Sequence, residues 1–170
     1  MPPIITTKAK YSITQNIPVA DHVFKFLKVR CGGTHLQAKR TTTFGSLALS
    51  LMGENKDVKI NSRNYTKIFE VTIAEDSYNR VGMYMCEANA QLFNDQVDRM
   101  FREELFFHVM INKGIDAEQY MNSIRSFLKV YNITEDDIKL DTVCRDFKRR
   151  KDEYDTNLNL TPATGQFSQK

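Results

Sequence analysis

Across residues 87–113, Phe93, Val97, Met100, Phe101, Leu105 and Val109 recur at helical spacing on one face. A helix striped in this way must bury its apolar side against other elements, so the remainder of the chain is read as what covers it. The chain has 170 residues, of which 41% are hydrophobic, enough apolar surface for one packed core. Eleven Phe and seven Tyr along its length argue for a folded middle, because disordered chains are poor in aromatics.

Several segments have the pattern needed to pack on this helix. A helix fits residues 18–30, with Pro18 in its first turn, Val19, Val23, Phe26 and Leu27 on one face, and Gly32-Gly33 as the stop. Residues 44–52 read as a short buried helix ended by Gly53. The β-branched and aromatic run 66–73 reads as a strand, the cluster at 75–79 as a turn, and 81–85 as the returning strand of a hairpin, with 58–60 as a third strand. Residues 116–131 form a second amphipathic helix through Tyr120, Ile124, Phe127, Leu128 and Tyr131, broken at Asn132. The expected fold class is therefore α+β and mainly helical, a small antiparallel β-hairpin packed on four or five helices. An extended arm (1–16) precedes the domain (17–154), and an irregular tail (155–170) follows it.

The longest apolar stretches, 47–52 and 105–111, are far shorter than the roughly 20 residues that span a bilayer. The first residues lack the layout of a secretory signal, and the expectation is a cytoplasmic protein with no membrane partner. Cys31, Cys86 and Cys144 are odd in number and widely spaced, suiting neither a disulfide framework nor a metal knuckle. Glu104 with His108, and Cys31 with His35, could each supply two metal ligands, but no second pair completes a site, so neither metal nor cofactor is expected. Gly32-Gly33-Thr34 lacks the spacing of a phosphate-binding loop. Cys144 falls on an apolar helix face with no His nearby, and the paired carboxylates Glu103-Glu104 and Asp136-Asp137 point apart on a helix, so no catalytic residue is assigned and no enzyme expected.

Charge is the more informative signal. The net charge is only +3, but the N-terminal third is basic and residues 75–118 are acidic. Basic residues concentrate again in Arg145, Lys148, Arg149, Arg150 and Lys151, interrupted by Asp146 and followed by Asp152 and Glu153. In the expected helix Val143, Cys144 and Phe147 face inward, while Arg145, Lys148, Arg149 and Lys151 face out, Arg suited to guanine edges and Lys to phosphates. Lys39 and Arg40, in a loop with Gly32, Gly33 and Thr41 to Thr43, have a composition suited to a phosphate backbone. The plain alternative for the Lys148 to Lys151 run is a solvated helix end that complements the dipole.

The last third, a helix over 116–131, a short helix over 134–139 begun at Thr134, a turn at Leu140-Asp141 and a basic helix over 142–153, resembles the trihelical helix-turn-helix fold. A single continuous helix over 134–153 is the alternative. Residues 127–137, Phe127-Leu128-Lys129-Val130-Tyr131-Asn132-Ile133-Thr134-Glu135-Asp136-Asp137, look like those of small accessory proteins of bacteriophages and other mobile elements. The resemblance implies a non-catalytic DNA-binding protein that regulates transcription or replication. The rival is a protein-interaction module, a phage-type inhibitor or adaptor that docks on a host protein or self-assembles through the acidic 95–104 stretch or the Phe101 to Phe107 surface.

Overall fold

The computed structural model describes residues 11–54, 65–112 and 117–160, with the side chains of 117–119 and 158–160 left outside the description. The long helix is present as α4 (Glu87–Ile111), the axis of the molecule. Phe93, Val97, Phe101, Leu105 and Val109, spaced four apart, form one buried ridge along it. Around it the order is β1 (Ser12–Val19), α1 (Asp21–Cys31), β2 (His35–Gln37), α2 (Thr43–Ser50), β3 (Lys67–Ala74) and α3 (Glu75–Val81) before α4, then α5 (Ala117–Val130) and α6 (Leu140–Leu160). The fold is α+β and mainly helical, as expected.

The sheet departs from the expected hairpin. Its order is β1-β3-β2, with β1 antiparallel to β3 (Ile17 opposite Phe69, Val19 opposite Lys67) and β2 parallel to β3 (Leu36 opposite Val71). The partner of 67–74 is thus β1. Residues 12–16 of the expected arm, and the first residues of the expected helix at 18–30, are strand. The inward set Ile13, Ile17, Val19 alternates with exposed residues at period 2, the pattern of a strand. Pro18 is tolerated because β1 is an edge strand, where a missing N–H costs little. The 75–79 cluster is the first part of α3, its Glu75 and Asp76 at the positive end of the helix. Of 81–85, Tyr84 makes an isolated bridge to Gly53. The strand expected at 58–60 and residues 1–10 of the arm lie outside the described residues.

One sheet face buries Ile17, Val19, Phe69, Val71 and Ile73 against α1 and α4. The other carries Thr14, Asn16, Glu70 and Thr72, where Thr14 and Thr72 share a hydroxyl hydrogen bond of 2.8 Å across the strands. Below the sheet Phe26 meets Phe44, Phe101 and Tyr131, and Phe101 meets Phe127, so aromatic contacts join α1, α2, α4 and the end of α5. Fully burying a Phe such as Phe26 or Phe101 is worth about 2 to 3 kcal/mol. The buried Asn94 ties sheet to helices, its Oδ1 accepting from the Ala20 N–H at 2.8 Å and its Nδ2 donating to the Tyr65 hydroxyl at 2.9 Å.

Two helices end by one device. Gly32 and Asn132 take left-handed φ values of 73° and 53°. After each, paired bonds close the helix: Gly33 to Lys28 O and Gly32 to Val29 O in α1, Ile133 to Leu128 O and Asn132 to Lys129 O after α5. Among the described residues no helix is long and apolar enough to cross a membrane.

Candidate nucleic-acid interface

Helix α6 begins at Leu140, so Leu140 and Asp141 are its first turn instead of a turn between helices. The short helix expected over 134–139 is one hydrogen-bonded turn. The Asp137 carboxylate accepts from the Thr134 N–H and hydroxyl at 2.7 and 2.9 Å, and Ile138 N–H bonds the Thr134 carbonyl. Asp137 also receives Lys25 of α1. Its carboxyl is pushed up by burial but further down by Lys25 and Thr134, and the net is below the usual range. These bonds use Asp137 as a tie to α1, leaving one turn too short to continue as a helix. The last third is therefore two helices, α5 and α6, joined by a locked turn.

Helix α6 runs to Leu160, past the expected 153, so 155–160 of the expected tail are helical. Pairs four apart extend it, Lys151 to Asp155 at 2.9 Å and the Thr156 hydroxyl to the Asp152 carbonyl at 2.7 Å. Tyr154 rests on Phe106. As expected, Val143 and Phe147 are buried; Phe147 lies between Phe106 of α4 and Tyr120 of α5.

The basic residues divide by angle. At about 100° per residue, Arg145, Lys148 and Arg149 fall within a sector of about 100° on the outer face, and all three are exposed. Lys151 sits on the flank beside α5, bonded to Asp155, which raises its pKa. Three of the four expected cations thus share a face and the fourth is turned aside. Arg150 points back toward α4, where Asp146 bonds it at 3.0 Å, with Arg149 at 2.8 Å and Arg102 at 3.6 Å. Burial pushes the Asp146 carboxyl up, but Arg149, Arg150 and Arg102 outweigh it and hold it below the ordinary value. Arg102 also bonds Asp98 at 2.7 Å, which is hydrogen-bonded to His22 at 2.7 Å, so a ladder of polar contacts bolts α6 through α4 to α1.

Among the described residues, Arg145 and Lys148 have no acidic partner within 4 Å, whereas Arg149 is shared between Asp146 and Glu153. Asp152 and Glu153 border the same shallow surface together with Thr156 and Asn157. Lys39 and Arg40 are exposed but stand elsewhere. Arg40 borders α2 and Val81, and α2 meets α4 near its start, where Asn89 bonds the Leu51 carbonyl. Asp146 meets α4 at Arg102, 13 residues further along and about 20 Å away. The structure does not bring the two basic groups together. The Lys39 backbone is fixed against α2, since a Cβ on Gly45 would come within 2.5 Å of its N and O.

Two cations were missed in the sequence. Arg125 and Lys129, one turn apart on the exposed face of α5, flank the turn into α6. Their i, i+4 spacing on a polar face was the available signal. The residues weighed for metal or catalysis diverge. Glu104 accepts from the Tyr131 hydroxyl and pairs with Arg30 at 3.7 Å, while His108 lies against Phe127. Cys31 ends α1, and His35 bonds Thr72 on the open sheet face. Among the described residues no three His, Cys, Asp or Glu side chains are grouped to hold a metal ion. The Cys144 thiol stands 3.3 Å from the Met121 sulfur, its pKa raised by burial and Asp141 against the opposing pull of Lys148 and Arg125. Comparison with protein-family models, with curated proteins and with solved structures finds no match to this chain.

Proposed function

We propose that this protein binds nucleic acid, duplex DNA first, through the outer face of α6, without catalysing a reaction, and so regulates transcription or replication. The observation that carries this is the placement of Arg145, Lys148 and Arg149 on one exposed sector of a helix whose opposite side is anchored by Phe147 and the Asp146 ladder. A helix held rigidly from behind with cations in front is how helix-turn-helix proteins present a recognition helix, with α4 and, through Tyr120, α5 here as the brace. Lys148 serves a phosphate, and Arg145 and Arg149 serve phosphates or guanine edges. Asp152 and Glu153 moderate the field and favour bases over indiscriminate backbone attachment.

The test is DNA affinity against salt for the protein and for its Arg145→Ala, Lys148→Ala, Arg149→Ala triple variant. Affinity should fall with salt, and the triple variant should lose about 0.9 from the log–log slope per phosphate contact removed. Equal slopes and equal affinities would reject the reading.

A second reading, a protein-interaction module acting as adaptor, inhibitor or self-assembling unit, is favoured by one observation. Phe107 and Ile111, one turn apart on α4, are 58% and 80% exposed. Phe106, in contrast, is buried beneath Phe147 and Tyr154, so the Phe101 to Phe107 stretch offers one exposed ring. On this reading self-association depends on residues 107 and 111.

A further inference from the structure

Between the end of α5 and the start of α6 lies an open pocket of about 310 Å³. Leu128 and Ile133, both buried, form its floor, and the half-buried Ile138 and Leu140 line it. Arg125 and Lys129 stand on the α5 side, one turn apart, and among the described residues neither has an acidic partner within 4 Å. The exposed Glu135 stands on the turn. The pocket is built from fixed parts. The paired bonds after α5 set Asn132 and Ile133, and Asp137 locks the following turn to Thr134 and Lys25.

The chemistry of this lining selects its occupant. An apolar floor takes one aliphatic or aromatic side chain, because a volume near 300 Å³ is the lower end of what holds a whole small molecule. The open side would leave a free metabolite largely in water, whereas a peptide covers that side with its own backbone. Two unpartnered cations beside the floor favour a carboxylate next to the anchor, and Glu135 disfavours a second carboxylate on the turn side. We infer that this pocket is a docking site for a segment of a partner protein that presents an apolar anchor residue flanked on one side by acidic residues. The site is separate from the outer face of α6, since none of Arg145, Lys148 and Arg149 lines it. It would let a protein partner be recruited while α6 is engaged elsewhere.

The experiment uses the full chain and four fluorescent peptides of one length, carrying Asp-Asp-Leu-Leu, Lys-Lys-Leu-Leu, Ser-Ser-Leu-Leu or Asp-Asp-Ser-Ser in a Gly-Ser background. Anisotropy should show the first binding tightest, each of the others weaker by about tenfold or more. Arg125→Glu with Lys129→Glu, both exposed and so compatible with folding, should reverse the preference between the acidic and basic peptides. The Arg145→Ala, Lys148→Ala, Arg149→Ala variant should bind the peptide as the parent does, which separates this result from DNA binding. Binding by none of the peptides, equal binding of acidic and basic ones, or indifference to the charge reversal overturns the proposal. So does displacement of the peptide by duplex DNA whose own binding requires Arg125 and Lys129, which would assign those cations to the nucleic-acid face.

Discussion

Replacing Asp146 with Asn should loosen α6 from the rest of the molecule. Asp146 is 16% exposed, accepts from the guanidinium groups of Arg149 and Arg150, and pairs with that of Arg102 at 3.6 Å. The Arg149 contact lies in water, which screens it. Arg102 and Arg150, at 20% and 22% exposure, are held in the seam between α4 and α6, and the amide cannot neutralise them. Charge-assisted bonds are worth about 1.5 to 3 kcal/mol when well made, and solvent reaching this seam brings each to about 1 kcal/mol. The loss is then about 2 kcal/mol, or a fall in Tm of about 4 to 8 °C for a domain of this size. Urea unfolding at neutral pH, followed by circular dichroism, measures it. The sign with pH is fixed by the lowered pKa: the carboxylate contributes stability above the ordinary value of 3.8, and that contribution is lost as pH falls below it through the lower folded value. The parent and Asp146→Asn should therefore converge in acid, while both lose further stability because Asp98 and Asp137 are also held low. A loss under about 0.5 kcal/mol at neutral pH, or a difference that persists once the parent's Asp146 is protonated, would refute the reasoning.

Asn94→Leu leaves the Ala20 N–H without its buried acceptor and should cost about 1 to 3 kcal/mol by urea unfolding, with faster exchange of the Ala20 amide; unchanged exchange would remove Asn94 from that role. Phe107→Ser with Ile111→Ser should abolish any concentration-dependent sedimentation without lowering the Tm, because both residues are exposed; self-association that survives would remove Phe107 and Ile111 from that role.

The long helix was legible because Phe93, Val97, Phe101, Leu105 and Val109 repeat a local period, and a local period needs no knowledge of partners. The break at Asn132 was legible for the same reason, since an Asn just past an apolar stripe can take the left-handed turn that ends it. The sheet was not. The run 67–74 is plainly a strand, but its choice of Ser12–Val19 over 81–85 depends on residues about 50 to 60 positions away. Pro18 argued locally for a helix start, and only the knowledge that β1 is an edge strand removes the conflict. The turn after Thr134 was misread because Asp137, which looked like part of an acidic helix start, is taken by Lys25 of α1.

The candidate site shows the same division at the scale of single charges. Helical spacing places Arg145, Lys148 and Arg149 together and turns Phe147 away, and that much follows from 3.6 residues per turn. Whether a cation on this helix faces a ligand or belongs to the fold is decided by the acids it can reach and by what other elements bring to those acids. Arg150 is adjacent to Arg149 and chemically identical, yet it lies in a seam with Asp146, whose third partner Arg102 comes from α4. Asp146 thus acts twice. It draws Arg150 inward, and through Arg149 it withholds part of one outward charge. The same carboxylate that holds α6 rigid therefore reduces its attraction for a polyanion, so rigidity of the presented face and strength of its field cannot be raised together by adding acids behind it. A basic run whose neighbours include such acids is better read from the few cations that have no acidic partner among the described residues, here Arg145 and Lys148, than from its total charge.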